Sequence, residues 1–359
     1  MFAKGLSAYN YRSFPSYELE LDPGVTILVG RNAAGKTNLV EALQLLTSGQ
    51  SFRKPRVDEL LMDGCEFGRI TLSLEGEGRE VQMSCLFEDG KKAFERNGKK
   101  VRASGVRGVL PSILFCPDHL DMVKRSASVR RAALDDFGVQ LNAQYGKLAA
   151  SYTRILEQRN SLLKDEQCPE ELLRAWDDSL VTTGAALMMH RIALTERIRS
   201  HFVHVYSLIA PQETAGIEYR PSIGTLPAGR PEAEGMLAEA LASKRDDERR
   251  RGVTLVGPHR DDVLFTIDGR PARDYGSQGQ QRSVVLAWKM AEVQVTRDIL
   301  GMDPLLLLDD VMSELDEARR DAIMAFVEGG IQTVVTTTNL GYFSSGILSA
   351  ARVVEVGRG

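Results

Sequence analysis

The chain has 359 residues, 43% of them hydrophobic and 26% charged, the balance of an ordinary soluble globular protein. That length predicts about two domains and a sizeable core, which excludes disorder, collagen-like repeats and stapled mini-scaffolds. With 45 Lys and Arg against 49 Asp and Glu the net charge is −4; the total does not suggest a nucleic-acid binder, although the placement of charges matters more than their sum.

Residues 1–14 lack the apolar run of a signal peptide, and no apolar stretch approaches the roughly 20 residues of a membrane helix. A cytoplasmic protein with no membrane partner is expected. Cys65, Cys85, Cys116 and Cys168 are scattered without a CxxC pair, which fits reduced thiols and argues against a zinc site.

The first hundred residues read as mostly β. Strands are predicted at 19–21 and 25–29 about an Asp22-Pro23-Gly24 turn, then at 70–74 and 81–87. A hairpin turns at Asn97-Gly98. Between them, 37–46 has helical spacing of Leu39, Val40, Leu43 and Leu46. From about residue 117 Gly and Pro become rare, and helices are predicted at 127–142, 147–164 and 170–209. A proline-marked connector over 211–235 precedes a charged helix at 236–251. Strands at 253–256, 263–267, 305–308 and 333–336, with helices after Ser277 and from Glu314, then alternate as in a parallel sheet.

Gly30-Arg31-Asn32-Ala33-Ala34-Gly35-Lys36-Thr37 is a full G-x4-G-K-[ST] pattern. It stands between a predicted strand and a predicted helix, the context in which glycines let backbone N–H groups wrap phosphates and the helix N-terminus adds positive charge. Lys36 is placed to reach β/γ-phosphates and Thr37 to ligate Mg²⁺. Leu305-Leu306-Leu307-Leu308-Asp309-Asp310 reads as a buried strand carrying an acidic pair into the ligand crevice. Asp309 suits a metal ligand there and Asp310 a group that polarises the attacking water. Ser313-x-x-Asp316 reads both as a capping box and as part of that site. Gly276-Ser277-Gln278-Gly279-Gln280-Gln281-Arg282 opens an apolar helix and makes a second anion cradle. One site cannot easily use both cradles on a single γ-phosphate, whereas two chains can, each lending its Ser277 loop to the other's Lys36 loop.

These motifs resemble ABC-type ATPases in the form carried by the RecF family, relatives of the Rad50 and SMC heads. The likeness extends to Asn38, Glu41 and Ala42, to Ser51-Phe52-Arg53 and to Gly257-Pro258-His259-Arg260-Asp261-Asp262, running in order from near residue 9 to near residue 340. It implies an α/β fold: a P-loop, ABC-type ATPase head with a mixed sheet, built from 1–116 and 252–359, interrupted by a mainly helical domain over 117–251. It implies ATP and Mg²⁺ as cofactors, held by residues 30–38, Thr37 and Asp309. Lys36 and Asp310 would be catalytic, Ser277 and Gly279 would contact nucleotide across a homodimer, and Asp316 would stand at the D-loop. Arg12 resembles the arginine by which Rad50-type heads approach the nucleotide. Asp310 replaces the usual glutamate, Thr338 the usual switch histidine, and Pro117-Asp118 stands where a Q-loop glutamine is expected. His259 is a candidate site histidine, with a plain turn residue the simpler alternative.

The function implied is recombinational DNA repair: ATP-driven dimerisation with slow hydrolysis, binding of double-stranded and gapped DNA, and help in loading a RecA-type recombinase, with RecR and RecO as partners. An ATP-gated scaffold without significant catalysis and a transporter ATPase subunit are the alternatives. For DNA, Lys91, Lys92, Arg96, Lys99, Lys100, Arg102 and Arg107 cluster on the predicted hairpin. Arg53, Lys54 and Arg56 follow the first helix, and Lys124, Arg125, Arg130 and Arg131 open the helical segment.

Overall fold

A computed structural model describes residues 1–357 apart from Glu77 and Glu166. In chain order it contains β1 (Phe2–Tyr11), β2 (Phe14–Glu20), β3 (Val25–Val29), α1 (Lys36–Ser48), β4 (Phe67–Gly76), β5 (Arg79–Glu88), β6 (Lys91–Arg96), β7 (Lys99–Val101) and β8 (Ser112–Phe115). There follow α2 (Asp121–Lys124), α3 (Ala127–Leu141), α4 (Ala143–Leu163), α5 (Glu170–Ile209), β9 (Ala215–Arg220), α6 (Arg230–Arg251), β10 (Asp262–Ile267), β11 (Arg270–Pro271), α7 (Ala272–Tyr275) and α8 (Gln278–Leu300). The chain closes with β12 (Leu305–Asp309), α9 (Glu317–Val327), β13 (Thr333–Thr337), α10 (Ser345–Ala350) and β14 (Arg352–Glu355).

Two compact units emerge: Met1–His119 with Lys289–Gly359, and Leu120–Trp288. The first holds two sheets. One is five-stranded in the order β14-β3-β13-β12-β8, and every pairing in it is parallel. Leu305–Leu308 are fully buried, as a strand covered on both faces requires. The other is an antiparallel meander, β2-β1-β4-β5-β6-β7. Helix α1 packs on β4 and β5 of the meander and on β8, β12 and β13 of the parallel sheet. Its Leu39, Val40, Ala42, Leu43, Leu45 and Leu46 are all buried, so the P-loop helix is apolar on nearly every side.

The second unit is helical, with a three-stranded sheet β11-β10-β9. Helix α5 runs 40 residues, about 60 Å, and packs against α4, α6 and β9. Tyr145, Tyr152, Leu180, Leu187, Leu241 and Val256 form its core. Across it lies a buried ionic knot. Arg159 donates to Asp177 at 2.7 Å, to Thr254 at 2.8 Å and to Glu248 at 2.7 Å, tying α4, α5 and α6 to the segment after α6.

Several expectations are corrected. Residues 252–288 pack with the helical unit rather than with the head, because β10 pairs with β9 along its whole length. The connector 211–235 contains β9, and α6 begins at Arg230 with Pro231 in its first turn, where a missing N–H costs nothing. No strand forms at 253–256: the Thr254 and Leu255 N–H groups donate to the Asn160 and Glu248 side chains instead. The S-x-x-D segment is not a capping box headed by Ser313. Asp316 itself caps α9, accepting the Arg319 N–H at 3.0 Å.

A candidate nucleotide-binding site

Strands β3 and β12 flank β13 in the parallel sheet, so the loop after β3 and the acidic end of β12 emerge side by side. The loop turns sharply. Ala33 and Gly35 have φ of 63° and 100°, alternating left-handed residues that turn successive N–H groups toward one concavity. A side chain at position 35 would be strained twice over, by the positive φ and by a Cβ only 2.4 Å from Phe14 Cζ. The cleft, about 460 Å³, is lined by Ser13, residues 32–38, Arg53, Asp310 and Thr336.

Lys36 is largely buried, and its Nζ donates to the carbonyls of Gly30 and Arg31 at 2.7 and 2.9 Å. Burial pushes its pKa down against the opposing pull of Asp310 and Asp309. Thr37 Oγ1 and Thr336 Oγ1 both donate to Asp309 Oδ1, at 3.0 and 2.8 Å. Asp309 is 4% exposed, and burial holds its carboxyl above the usual carboxylate range even though both hydroxyls favour the anion. Thr37 and Asp309 supply the hard oxygen donors that suit Mg²⁺, which takes few protein ligands and fills its shell with water and phosphate oxygens. Among the described residues no group of three or more His, Cys, Asp or Glu converges to make a self-sufficient metal cage.

Asp310 has φ 53°, an uncommon conformation that a non-glycine residue keeps only when its surroundings hold it. Its N–H donates to Thr336 Oγ1 at 2.9 Å, and Ser313 Oγ donates to its carbonyl at 3.1 Å. Thr336, Ser13 and Arg53 are pocket residues that sequence reading missed. The available signal was a threonine in a strand otherwise read as core. Thr338, at the expected switch position, is exposed beyond the end of β13.

Arg12 does not line the cleft. It grips Glu41 of α1 through Nε and Nη2 at 3.0 and 2.8 Å. The wholly buried Glu41 also accepts Ser51 Oγ at 2.5 Å and Tyr11 OH at 3.3 Å. Arg53, grouped above with possible DNA contacts, donates to Asn38 at 2.9 Å in the cleft wall. Lys54 and Arg56 are exposed beside it.

In the second unit Ser277 is exposed at the start of α8. Its Oγ accepts the Gln280 N–H at 3.2 Å and its own N–H donates to Gln280 Oε1 at 2.8 Å, a capping box. The GPHRDD segment is an anchored turn. His259 Nε2 donates to Thr254 O at 3.0 Å, so Nδ1 accepts Tyr152 OH at 2.7 Å. Asp261 accepts Tyr219 OH at 2.5 Å and Ser222 N–H at 2.7 Å. Arg130 forks onto Asp262 at 2.7 and 2.9 Å, and Arg131 donates to the Asp261 carbonyl. These two arginines are therefore staples within the unit, and His259 is the plain turn residue. On the β6–β7 hairpin, Lys91, Lys92, Arg96, Lys99, Lys100 and Arg102 are all exposed, while Arg107 donates to Ser48 O. At the Q-loop position Cys116 N–H donates to His119 Nδ1 at 3.2 Å, and burial pushes the Cys116 thiol up to about 12.

The family described as RecF/RecN/SMC N terminal domain matches residues 2–356. The DNA replication and repair protein RecF of Gloeobacter violaceus is 39% identical over 366 residues, covering 100% of this chain and 98% of its own. The chain belongs to the RecF family. The RecF of Moorella thermoacetica is 35% identical, with 99% of this chain and 94% of its own covered. A solved recombination mediator RecF with ATP in the RecFOR pathway superposes with a TM-score of 0.89 at 30% identity, over 96% of this chain and 93% of that one. An Smc head, at 15% identity and a TM-score of 0.57 over 95% of this chain and 90% of that one, shares the fold. Membership in RecF, a family of DNA replication and repair proteins, bears out the resemblance in the motifs and removes the transporter alternative. No helix among the described residues is long and apolar enough to cross a membrane.

Proposed function

We propose that this chain binds ATP with Mg²⁺ at the Lys36 loop, dimerises on it and acts as a recombination mediator on double-stranded and gapped DNA, with RecR and RecO, upstream of a RecA-type recombinase. The observation that carries this reading is the pairing of Thr37 with Asp309 beneath a left-handed P-loop turn, beside the RecF–ATP likeness. Mg²⁺ held by Thr37 and Asp309 would neutralise charge between phosphates. Lys36, now bonded to its own loop, is the mobile cation that meets the β/γ-phosphates. Asp310 orients the attacking water, and its side chain, shorter than the usual glutamate, accounts for slow turnover. Ser277, exposed at its helix N-terminus, faces the γ-phosphate of a second copy, with Gly279 beside it and Asp316 at the dimer's D-loop. The hairpin lysines contact phosphates of DNA.

Light scattering with and without ATP tests this. A monomer that becomes a dimer on ATP, and a Ser277→Arg variant that binds ATP yet stays monomeric, are expected. A variant dimer equal to wild type sinks the reading.

A further inference from the structure

The cleft around Lys36 is shaped for phosphates and holds no aromatic ring for a base: its lining of Ser13, residues 32–38, Arg53, Asp310 and Thr336 offers one guanidinium but no aromatic side chain. Phe14, which underlies Gly35, is 1% exposed and part of the core. An aromatic stands free elsewhere. Tyr275 is 68% exposed, the highest value for a large hydrophobic side chain among the described residues, and the exposed Arg270 guanidinium lies 5.8 Å from its ring centroid.

The backbone that carries the ring is tied down. Gln281 Nε2, buried at the first turn of α8, donates to the carbonyls of Ala272 and Gly276 at 3.1 Å each. Gly276 permits the turn, since a Cβ there would lie 2.5 Å from Ala272 O. The backbone on either side of Tyr275 is thus tied to the same helix start that exposes Ser277. Two residues of chain reach at most about 7 Å, and the phenol side chain extends further, so the ring lies within a nucleotide's length of the serine.

We propose that Tyr275, with Arg270, is the platform on which the adenine of ATP held by a second copy stacks. This rests on the dimer reading above and deepens it, because each copy then supplies the phosphate cradle for one nucleotide and the base platform for the other. A planar base against an aromatic ring with a guanidinium close by is a favourable arrangement.

The test is the concentration of ATP, and separately of inorganic tripolyphosphate, that gives half-maximal dimer in light scattering. Wild type is expected to need about tenfold less ATP than tripolyphosphate, the advantage of one stacked base. Tyr275→Ala closes that gap and Tyr275→Phe restores it. A gap unchanged in Tyr275→Ala, or one closed instead by Tyr9→Ala, the exposed aromatic of the first unit, overturns the platform while leaving the dimer intact. Wild type that stays monomeric with ATP overturns both readings. Circular dichroism of Tyr275→Ala is expected to match wild type, because the side chain is at the surface.

Discussion

Thr37 and Asp309 lie 272 positions apart in the chain, yet the threonine hydroxyl donates to the carboxylate across 3.0 Å. Strand β13, between β3 and the β12 that carries Asp309, adds Thr336 to the same oxygen at 2.8 Å. Two hydroxyls on one buried carboxylate oxygen hold the acid directly behind Thr37 and Thr336, two residues of the cleft wall.

The tightest steric demand in that loop is at Gly35. With φ 100° and a Cβ position 2.4 Å from a core phenylalanine, Gly35→Ala is expected to destabilise the protein by about 2–4 kcal/mol and to abolish ATP binding. Thermal melts and equilibrium dialysis with ATP check this; unaltered binding would refute the loop geometry.

Asp310→Asn keeps a residue type tolerant of the left-handed conformation and leaves the Thr336–Asp309 contact in place. ATP binding is expected to persist while hydrolysis falls roughly 10²-fold or more. Single-turnover phosphate release measures this, and equal rates would remove Asp310 from the chemistry.

Arg159 is fully buried with three partners on three different segments. Arg159→Ala strips the wholly buried Glu248 of its arginine and leaves Asp177 to Arg245, and a loss of about 3–5 kcal/mol follows. Urea midpoints of the two proteins provide the comparison. A change under about 1 kcal/mol would mean the knot contributes little.

His259 connects stability to pH. Burial, aided by Arg260, Arg131 and Arg159 nearby, pushes its pKa from the ordinary 6.5 to about 4. The unfolded chain then binds a proton before the folded chain does. The stability held above pH 6.5 is therefore lost as pH falls towards about 4. Melting temperatures over that range should decline less steeply in His259→Gln than in wild type, and parallel curves would exclude this residue as a source.

The exposed hairpin lysines test DNA contact. Lys99→Ala with Lys100→Ala is expected to weaken binding to duplex and gapped DNA alike and to reduce the slope of log affinity against log salt by about 1–2. An unchanged slope in fluorescence anisotropy would move the DNA surface elsewhere.

The motifs were legible before the fold because they are local. A P-loop needs glycines and a lysine at set spacing, and Leu305–Leu308 reads as a doubly covered strand from composition alone. The long helices α4 and α5 were legible from their periodicity for the same reason. What the tertiary structure alone decided depended on contacts between distant segments. Strand β9 hides in a proline-marked stretch because its partner β10 lies more than forty residues on. Arg130 and Arg131 stood among the candidate DNA contacts until Asp262 and the Asp261 carbonyl met them. Arg53 read as a DNA contact until the loop after α1 folded it against Asn38. Thr336 became a site residue only when β13 was placed between the P-loop strand and β12. Spacing along a chain records which chemistry is present; which side chains share one oxygen is settled by sheet order, and sheet order is a property of the whole core.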